Sequence, residues 1–272
     1  MHSFFINLPL QYLVRNSRYL DHFIEPAWPE GFGFAPELGL DALTMQRQTP
    51  AWHEQLAQKL HDASLIPSIH LPFFELSPGS LDEYIRRASC DRLKTACDIA
   101  KIYQPAHLVG HARYEQALHA AHKDQWLERS RQTWAEILDA WPGHPRLYLE
   151  NTHETEPEPV RDLVLALRPR DVLVCFDVGH WHSFARGQRA QDLDRWLDTY
   201  ADSLGHLHLH DNDGSDDQHL GLGQGAIDWR DFFTQLRARS LAPGATFEPH
   251  TEDAMRSTLA FMVANKALFV RV

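Results

Sequence analysis

The sequence predicts an α/β fold, a single (β/α)8 TIM barrel over residues 1–272, on three observations. Short apolar runs of β type alternate eight times with longer segments of helical spacing. The 272 residues divide into eight units of about 34, the size of one βα step in a closed barrel. An open, doubly wound sheet would normally carry a Gly-rich fingerprint after an early strand, and this chain has none.

The predicted strands are Ser3 to Leu8, Glu37 to Leu40, Ile66 to Leu71, Ala106 to Gly110, Arg146 to Glu150, Val172 to Asp177, Gly205 to His210 and Ala245 to Glu248. Met1 to Val14 is apolar but lacks a basic lead region and a small-residue cleavage site, so it reads as a first buried strand rather than a targeting signal. Asn16 to Phe23 forms a weak first helix. The Pro-rich stretch Glu25 to Pro36 follows as a loop, whose Trp28, Phe32 and Phe34 either pack on the barrel rim or cover a substrate. Amphipathic helices are predicted over Ala51 to Ala63, Leu81 to Tyr103, Lys123 to Ala140, Glu158 to Leu167, Ala190 to Tyr200, Trp229 to Arg239 and Glu252 to Ala264. In the second of these, Leu93, Ala96, Cys97 and Ala100 recur at i, i+3, i+4 and i+7, the spacing of one buried face. Cys90 shares that face with Cys97, which makes both core filler.

Composition narrows the chemistry. With 43% hydrophobic and 23% charged residues, disordered, collagen-like and disulfide-scaffold classes are excluded. No run reaches the roughly 18 apolar residues that would span a bilayer. Three scattered cysteines make neither a disulfide framework nor a thiolate metal site, and a reducing cytoplasm is the simplest expectation. The 37 acidic residues outnumber 26 lysines and arginines, for a net charge of −11, so the long-range field repels polyanions and nucleic acid is a disfavoured partner. The 18 histidines are the anomaly, and they raise the prospect of metal or proton chemistry.

Functional residues of a parallel barrel sit at the C-terminal ends of its strands. Six consecutive predicted strands end in metal-ligand types: His70 (PSIHLPF), His111 (LVGHARY), Glu150 (LYLENTH), Asp177 with His180 (CFDVGHWH), His208 (HLHLHDND) and Glu248 (FEPH). The loop DDQHLGLGQGAIDW adds Asp217 and His219 in D-x-H spacing. Imidazoles and carboxylates without thiolate suit Zn²⁺, Mn²⁺, Fe²⁺ or Co²⁺. His206, His208 and His210 alternate with Gly205, Leu207 and Leu209 and so face one side of their strand. Only one of the three need be a ligand, with His206 deepest in the barrel and His210 nearest the rim, and the other two orient a ligand or pack. Trp181 is a candidate wall of the substrate pocket, and Arg113 a candidate clamp for a phosphate. Gly221, Gly223 and Gly225 lack nucleotide-loop spacing and let the loop turn over the site. Asp211 to Asp217 has its Gly214 in the wrong place for a calcium loop.

Taken in order and spacing, LYLENTH, CFDVGHWHSF, HLHLHDNDGSDDQHLGLGQGAIDW and FEPH resemble the xylose-isomerase-like TIM-barrel superfamily. That superfamily contains small-sugar isomerases and epimerases as well as apurinic-site nucleases of the endonuclease IV type. The resemblance to the isomerase branch implies that Glu150, Asp177, His208 and Glu248 hold one divalent ion. Glu150 and Glu248 would then be the catalytic acid/base pair, with His180 on a substrate oxygen. The resemblance to the nuclease branch implies a three-metal cluster held by all nine residues, with Glu150 bridging two ions and His180, Asp217 and His219 holding a third. Xylose isomerase itself relies on an active-site lysine, and Lys59, Lys94, Lys101, Lys123 and Lys266 are not placed for that role. The expectation is a metal-dependent isomerase or epimerase of a small sugar, sugar acid or sugar phosphate, binding one to three ions of the Mn or Zn type. The alternative is a multi-zinc phosphoester hydrolase of the endonuclease IV type, acting on a small phosphodiester or on abasic DNA. Substrate, native metal and oligomeric state are left open.

Overall fold

The structure, a computed structural model, describes residues 4–269. Eight parallel strands close into a barrel in sequence order: β1 (Phe4–Pro9), β2 (Phe34–Gly39), β3 (Ser68–His70), β4 (Leu108–His111), β5 (Leu147–Glu150), β6 (Val172–Asp177), β7 (Leu204–Leu209) and β8 (Gly244–Phe247). Closure comes from β1 pairing with β8, Phe4 opposite Ala245. Each predicted strand overlaps its observed counterpart, although the predicted start at Ser3 lies outside the described residues. The largest discrepancy is β2, which begins three residues before the predicted Glu37. Its Phe34-Ala35-Pro36 run belongs to the barrel wall, with Phe34 and Ala35 fully enclosed.

Helices fill the outer layer because each strand buries both faces and must be covered from outside. The helix Glu83–Tyr103 turns Cys90, Leu93, Ala96, Cys97 and Ala100 to the core, as their spacing predicts. Asp82 caps its N-terminus, accepting from the Tyr84 amide. All three cysteines are free and buried.

Three corrections follow from the geometry. The apolar lead does not continue as strand, because Pro9 ends β1 and Leu10–Arg15 form a helical turn ahead of the short helices over Ser17–Ile24. The predicted helix from Ala190 to Tyr200 is two pieces, Gly187–Ala190 and Leu193–Tyr200. They are separated at Gln191, whose φ of 52° is left-handed and incompatible with a continuing helix. The aromatic loop over residues 25–33 is no substrate lid. It leads from a helix into β2, which places it at the N-terminal face, where Trp28 packs on Phe23 and Phe34 and Phe32 packs on Phe4 and Phe269. No described helix is long and apolar enough to cross a membrane.

Candidate metal centre

The nine predicted ligands meet at the C-terminal mouth of the barrel in three adjoining groups. In the first, His70 Nε2, His111 Nε2 and Glu150 Oε2 form a triangle with all three edges 3.2 Å. In the second, His208 Nδ1 lies 3.2 Å from Glu150 Oε2, 3.3 Å from Glu248 Oε1 and 4.0 Å from Asp177 Oδ2. In the third, Asp217 Oδ2 lies 3.1 Å from His219 Nε2 and 3.5 Å from His180 Nε2. Donors held about 2.0 to 2.1 Å from one tetrahedral ion stand about 3.3 Å apart. Most of these separations are therefore those of ligands around a shared cation.

Backbone geometry delivers the donors. Parallel register places His111 opposite Glu150 and Asp177 opposite His208, so neighbouring strand ends present their side chains at one level. Asp177 caps the short helix Val178–Ser183, accepting from the His180 amide. That turn brings His180 back over the strand end. Asn151 clamps Asp177 from both sides: its side-chain oxygen accepts from the Asp177 amide while its NH2 donates to the Asp177 carbonyl. The loop carrying Asp217 and His219 is organised by Asp211, whose carboxylate accepts from the amides of Asn212, Gly223 and Ile227 and from the Trp229 indole. Gly225 lies so close to that carboxylate that a Cβ would collide with it.

Hydrogen bonds select the imidazole tautomers. A backbone carbonyl only accepts, so His70 Nδ1 donates to the Leu71 carbonyl, His180 Nδ1 to that of Asn151 and His219 Nδ1 to that of Glu248. Their Nε2 lone pairs then point at the carboxylates in the mouth. His111 Nδ1 pairs with the Thr152 hydroxyl at 2.7 Å. His208 is turned the other way, with Nδ1 in the mouth and Nε2 3.1 Å from Glu37 Oε1, an ion-pair contact without hydrogen-bond geometry. A carboxylate behind a ligand imidazole is the arrangement that orients metal-binding histidines.

Lone pair facing lone pair is repulsive unless a cation lies between. Asp177 Oδ2, His208 Nδ1 and Asp217 Oδ1 are buried without a hydrogen-bond partner, an expensive state that an ion relieves. The donor set therefore fits divalent metal. Without metal, protons take the cation's place. Burial works against charge throughout, yet Asp177, Asp217 and Glu150 hold the His180 imidazole well above its usual value, and Cys175 with the carboxylates of Glu248, Glu150 and Glu37 does the same for His208. Burial likewise works to raise Glu150, but His111 and His208 keep it well below the carboxylate range. His111 goes the opposite way, pushed down to about 4 by burial despite Glu150 beside it.

Two predicted site residues do not join the mouth. Trp181 follows His180 by one helical step of about 100°, which turns it outward. Its indole donates to Asp192, and its ring covers Gly187 beside a cavity of about 560 Å³ between the outer helices. It does not wall the metal mouth. Arg113 stands in the loop after β4 with left-handed φ 60°, its Nη2 3.4 Å from Glu115 and its Nε buried without a partner. It makes no contact with the nine ligands among the described hydrogen bonds and ion pairs.

Two residues carry more of the site than the sequence pattern assigns them. Glu37 is fully buried, and its signal in the sequence is a carboxylate inside an apolar strand run. His210 is expected at the rim, although the H-x-H-x-H alternation already puts it on the side of His208. It points into the third group, with Nε2 3.5 Å from Asp217 Oδ1.

The xylose isomerase-like TIM barrel family model matches residues 32–264. The uncharacterized protein MJ1311 of Methanocaldococcus jannaschii is 26% identical over 176 residues, covering 62% of this chain and 59% of the relative. The chain thus matches about three fifths of that relative's length. Among solved structures, a D-tagatose 3-epimerase-like protein superposes with TM-score 0.75 at 20% identity, over 97% of each chain. The TTHB071 protein from Thermus thermophilus, in a crystal soaked with ZnCl2, gives TM-score 0.73 at 26% identity over 96% of this chain and 97% of that one. Endonuclease IV from the same organism gives 0.65 at 17% identity over 96% and 97%. The chain belongs to the xylose isomerase-like TIM-barrel family.

Proposed function

We propose that this protein is a multinuclear metal-dependent hydrolase of phosphoester bonds, acting on a small substrate rather than on nucleic acid. The observation that carries this reading is the triangle of His70, His111 and Glu150, closed at 3.2 Å on every edge. A one-ion isomerase needs only Glu150, Asp177, His208 and Glu248, with His180, Asp217 and His219 free to bind substrate oxygens, and leaves that triangle without a purpose.

Divalent ions bound in the mouth would supply Lewis-acid charge to a phosphoryl group and lower the pKa of an attacking water. The protein's own contribution is positional. Glu150 reaches the first and second groups through Oε2, so it would hold ions of both. Glu248 is fixed by Asn7, whose side-chain NH2 donates to Oε1 at 2.8 Å. The charge of −11 and the absence of lysine near the mouth among the described residues weigh against a nucleic-acid backbone, which demands a cationic groove. The free, buried cysteines accord with a reducing compartment such as the cytoplasm.

A second reading, proton transfer in a sugar isomerase or epimerase, is favoured by one feature: Glu150 and Glu248 lie on either side of His208 Nδ1, at 3.2 and 3.3 Å. The deciding experiment is elemental analysis of protein purified without chelator, beside hydrolysis of bis(p-nitrophenyl) phosphate and solvent-deuterium incorporation into ketoses. Two or three ions per chain with phosphodiester cleavage, both reduced in His70→Ala, support the hydrolase. One ion, insensitive to His70→Ala, together with deuterium uptake overturns it in favour of the epimerase.

A further inference from the structure

We infer that His210 is a fourth protein ligand of the third group, making it a closed site of three imidazoles and one carboxylate, set apart from the carboxylate-rich second group by its ligand types and from the three-donor first group by its donor count. The inference rests on the multinuclear reading and assigns different work to its ions.

His210 is 1% exposed, and neither ring nitrogen has a hydrogen-bond partner. A buried imidazole with both nitrogens idle forgoes two hydrogen bonds, and such a group calls for a partner. Its Nε2 lies near two carboxylate oxygens without hydrogen-bonding either, Asp177 Oδ1 at 3.3 Å and Asp217 Oδ1 at 3.5 Å. Donor atoms of His180, His210, Asp217 and His219 all lie within 4.8 Å of one another. The His210 ring lies face to face with His219 at 3.8 Å and an interplanar angle of 11°, which fixes its position beside the third group.

The chain makes room for this ring. A Cβ at Gly179 would overlap Cε1, Nε2 and Nδ1 of His210, so the glycine of CFDVGHWH is the floor on which the imidazole rests. His210 follows directly on β7, and period-two alternation carried one residue past the strand end turns it the way of His208.

Chemistry separates the groups. Four protein donors complete a tetrahedron and leave no position for water or substrate, the pattern of a structural ion, whereas three leave one open. The His180–His210–Asp217–His219 ion would pin the 211–219 loop across the mouth. The open position falls to the ion of His70, His111 and Glu150.

The test is cadmium NMR of the full-length protein, stripped with chelator, refilled with Cd²⁺ and carrying isotopically labelled histidine nitrogen, which counts the imidazoles bound to each ion. The expected pattern is one resonance coupled to two imidazoles (His70, His111), one coupled to a single imidazole (His208) and one coupled to three (His180, His210, His219). In His210→Ala the third resonance should lose one coupling, and its ion should dissociate at least tenfold more readily. A wild-type pattern with only two couplings on the third ion overturns the assignment of His210 and leaves the multinuclear reading standing. A single cadmium resonance overturns both. The wild-type count holds whether or not the variant folds.

Discussion

The barrel interior has two polar layers built from the same residue types, and they behave differently. In the deeper layer, Glu37 Oε2 accepts from the Ser68 and Thr246 hydroxyls at 3.0 and 2.8 Å, and His206 Nε2 pairs with the Thr246 oxygen at 2.8 Å. His107 and His206 pack edge and face against Tyr148 and against each other. Nearer the mouth, the donors face acceptors of the same electrostatic sign, and several buried atoms have no partner at all. The deeper network closes on itself except at His107 Nε2, 3.6 Å from Glu37 Oε2, and is structure; one that closes only around an added cation is a binding site. Glu37 belongs to both layers, since its other oxygen faces His208.

The comparison breaks most sharply at Glu150. Glu150→Gln removes the charge shared by two donor groups, so the first and second ions should both be lost and turnover abolished, read by elemental analysis and activity together. Retention of full metal content would mean that the groups do not share this carboxylate.

Protons offer the next test. In the metal-free protein the raised His180 and His208 contribute stability that is complete below their unfolded value of about 6.5 and is lost as pH rises through their folded values. Glu150 and Asp177, held below their ordinary values, contribute above about pH 4.5 and lose that contribution as pH falls. His111, lowered to about 4, adds to the acid-side loss. Thermal melting of chelated protein should therefore peak near about pH 5 to 6.5 and decline toward alkaline pH, where added Zn²⁺ or Mn²⁺ restores it. A flat profile above about pH 7 without metal contradicts this account of the mouth.

Glu37→Gln tests the link between layers. It should weaken the ion held at His208 by about 10- to 100-fold while leaving the His70–His111 ion in place, measured by competition with a chromogenic chelator. The smallest effect is expected in the deeper layer alone. Thr246→Val should cost about 1 to 3 kcal/mol in urea unfolding, because Glu37 and His206 lose a buried partner, with unchanged metal stoichiometry. Loss of metal in that variant would erase the distinction between the layers.

Strand ends are legible in the sequence because a barrel repeats one rule eight times. Ligand types fall where β3 to β8 are predicted to stop, and shifts of one to three residues in strand limits do not disturb that pattern. Glu37 is legible only in part, because a carboxylate inside an apolar run signals burial without naming its partner across the barrel. Trp181 is misplaced for a related reason: a short helix after β6 rotates adjacent side chains apart, and sequence adjacency to His180 carries no information about direction.

By itself, the amino-acid order determined the βα rhythm, the closed parallel sheet and nine candidate ligands, since these follow from local periodicity, from residue type at strand ends and from the D-x-H pair of one loop. Only the tertiary structure decided how the donors divide into three groups, which nitrogen each imidazole presents, and that His210 enters the third group through the space left at Gly179. Those outcomes depend on strand register, on hydrogen bonds between residues 29 positions apart in the chain, such as His180 with Asn151 and His219 with Glu248, and on a steric allowance between two neighbouring strands. None of these is a property of a local run of residues.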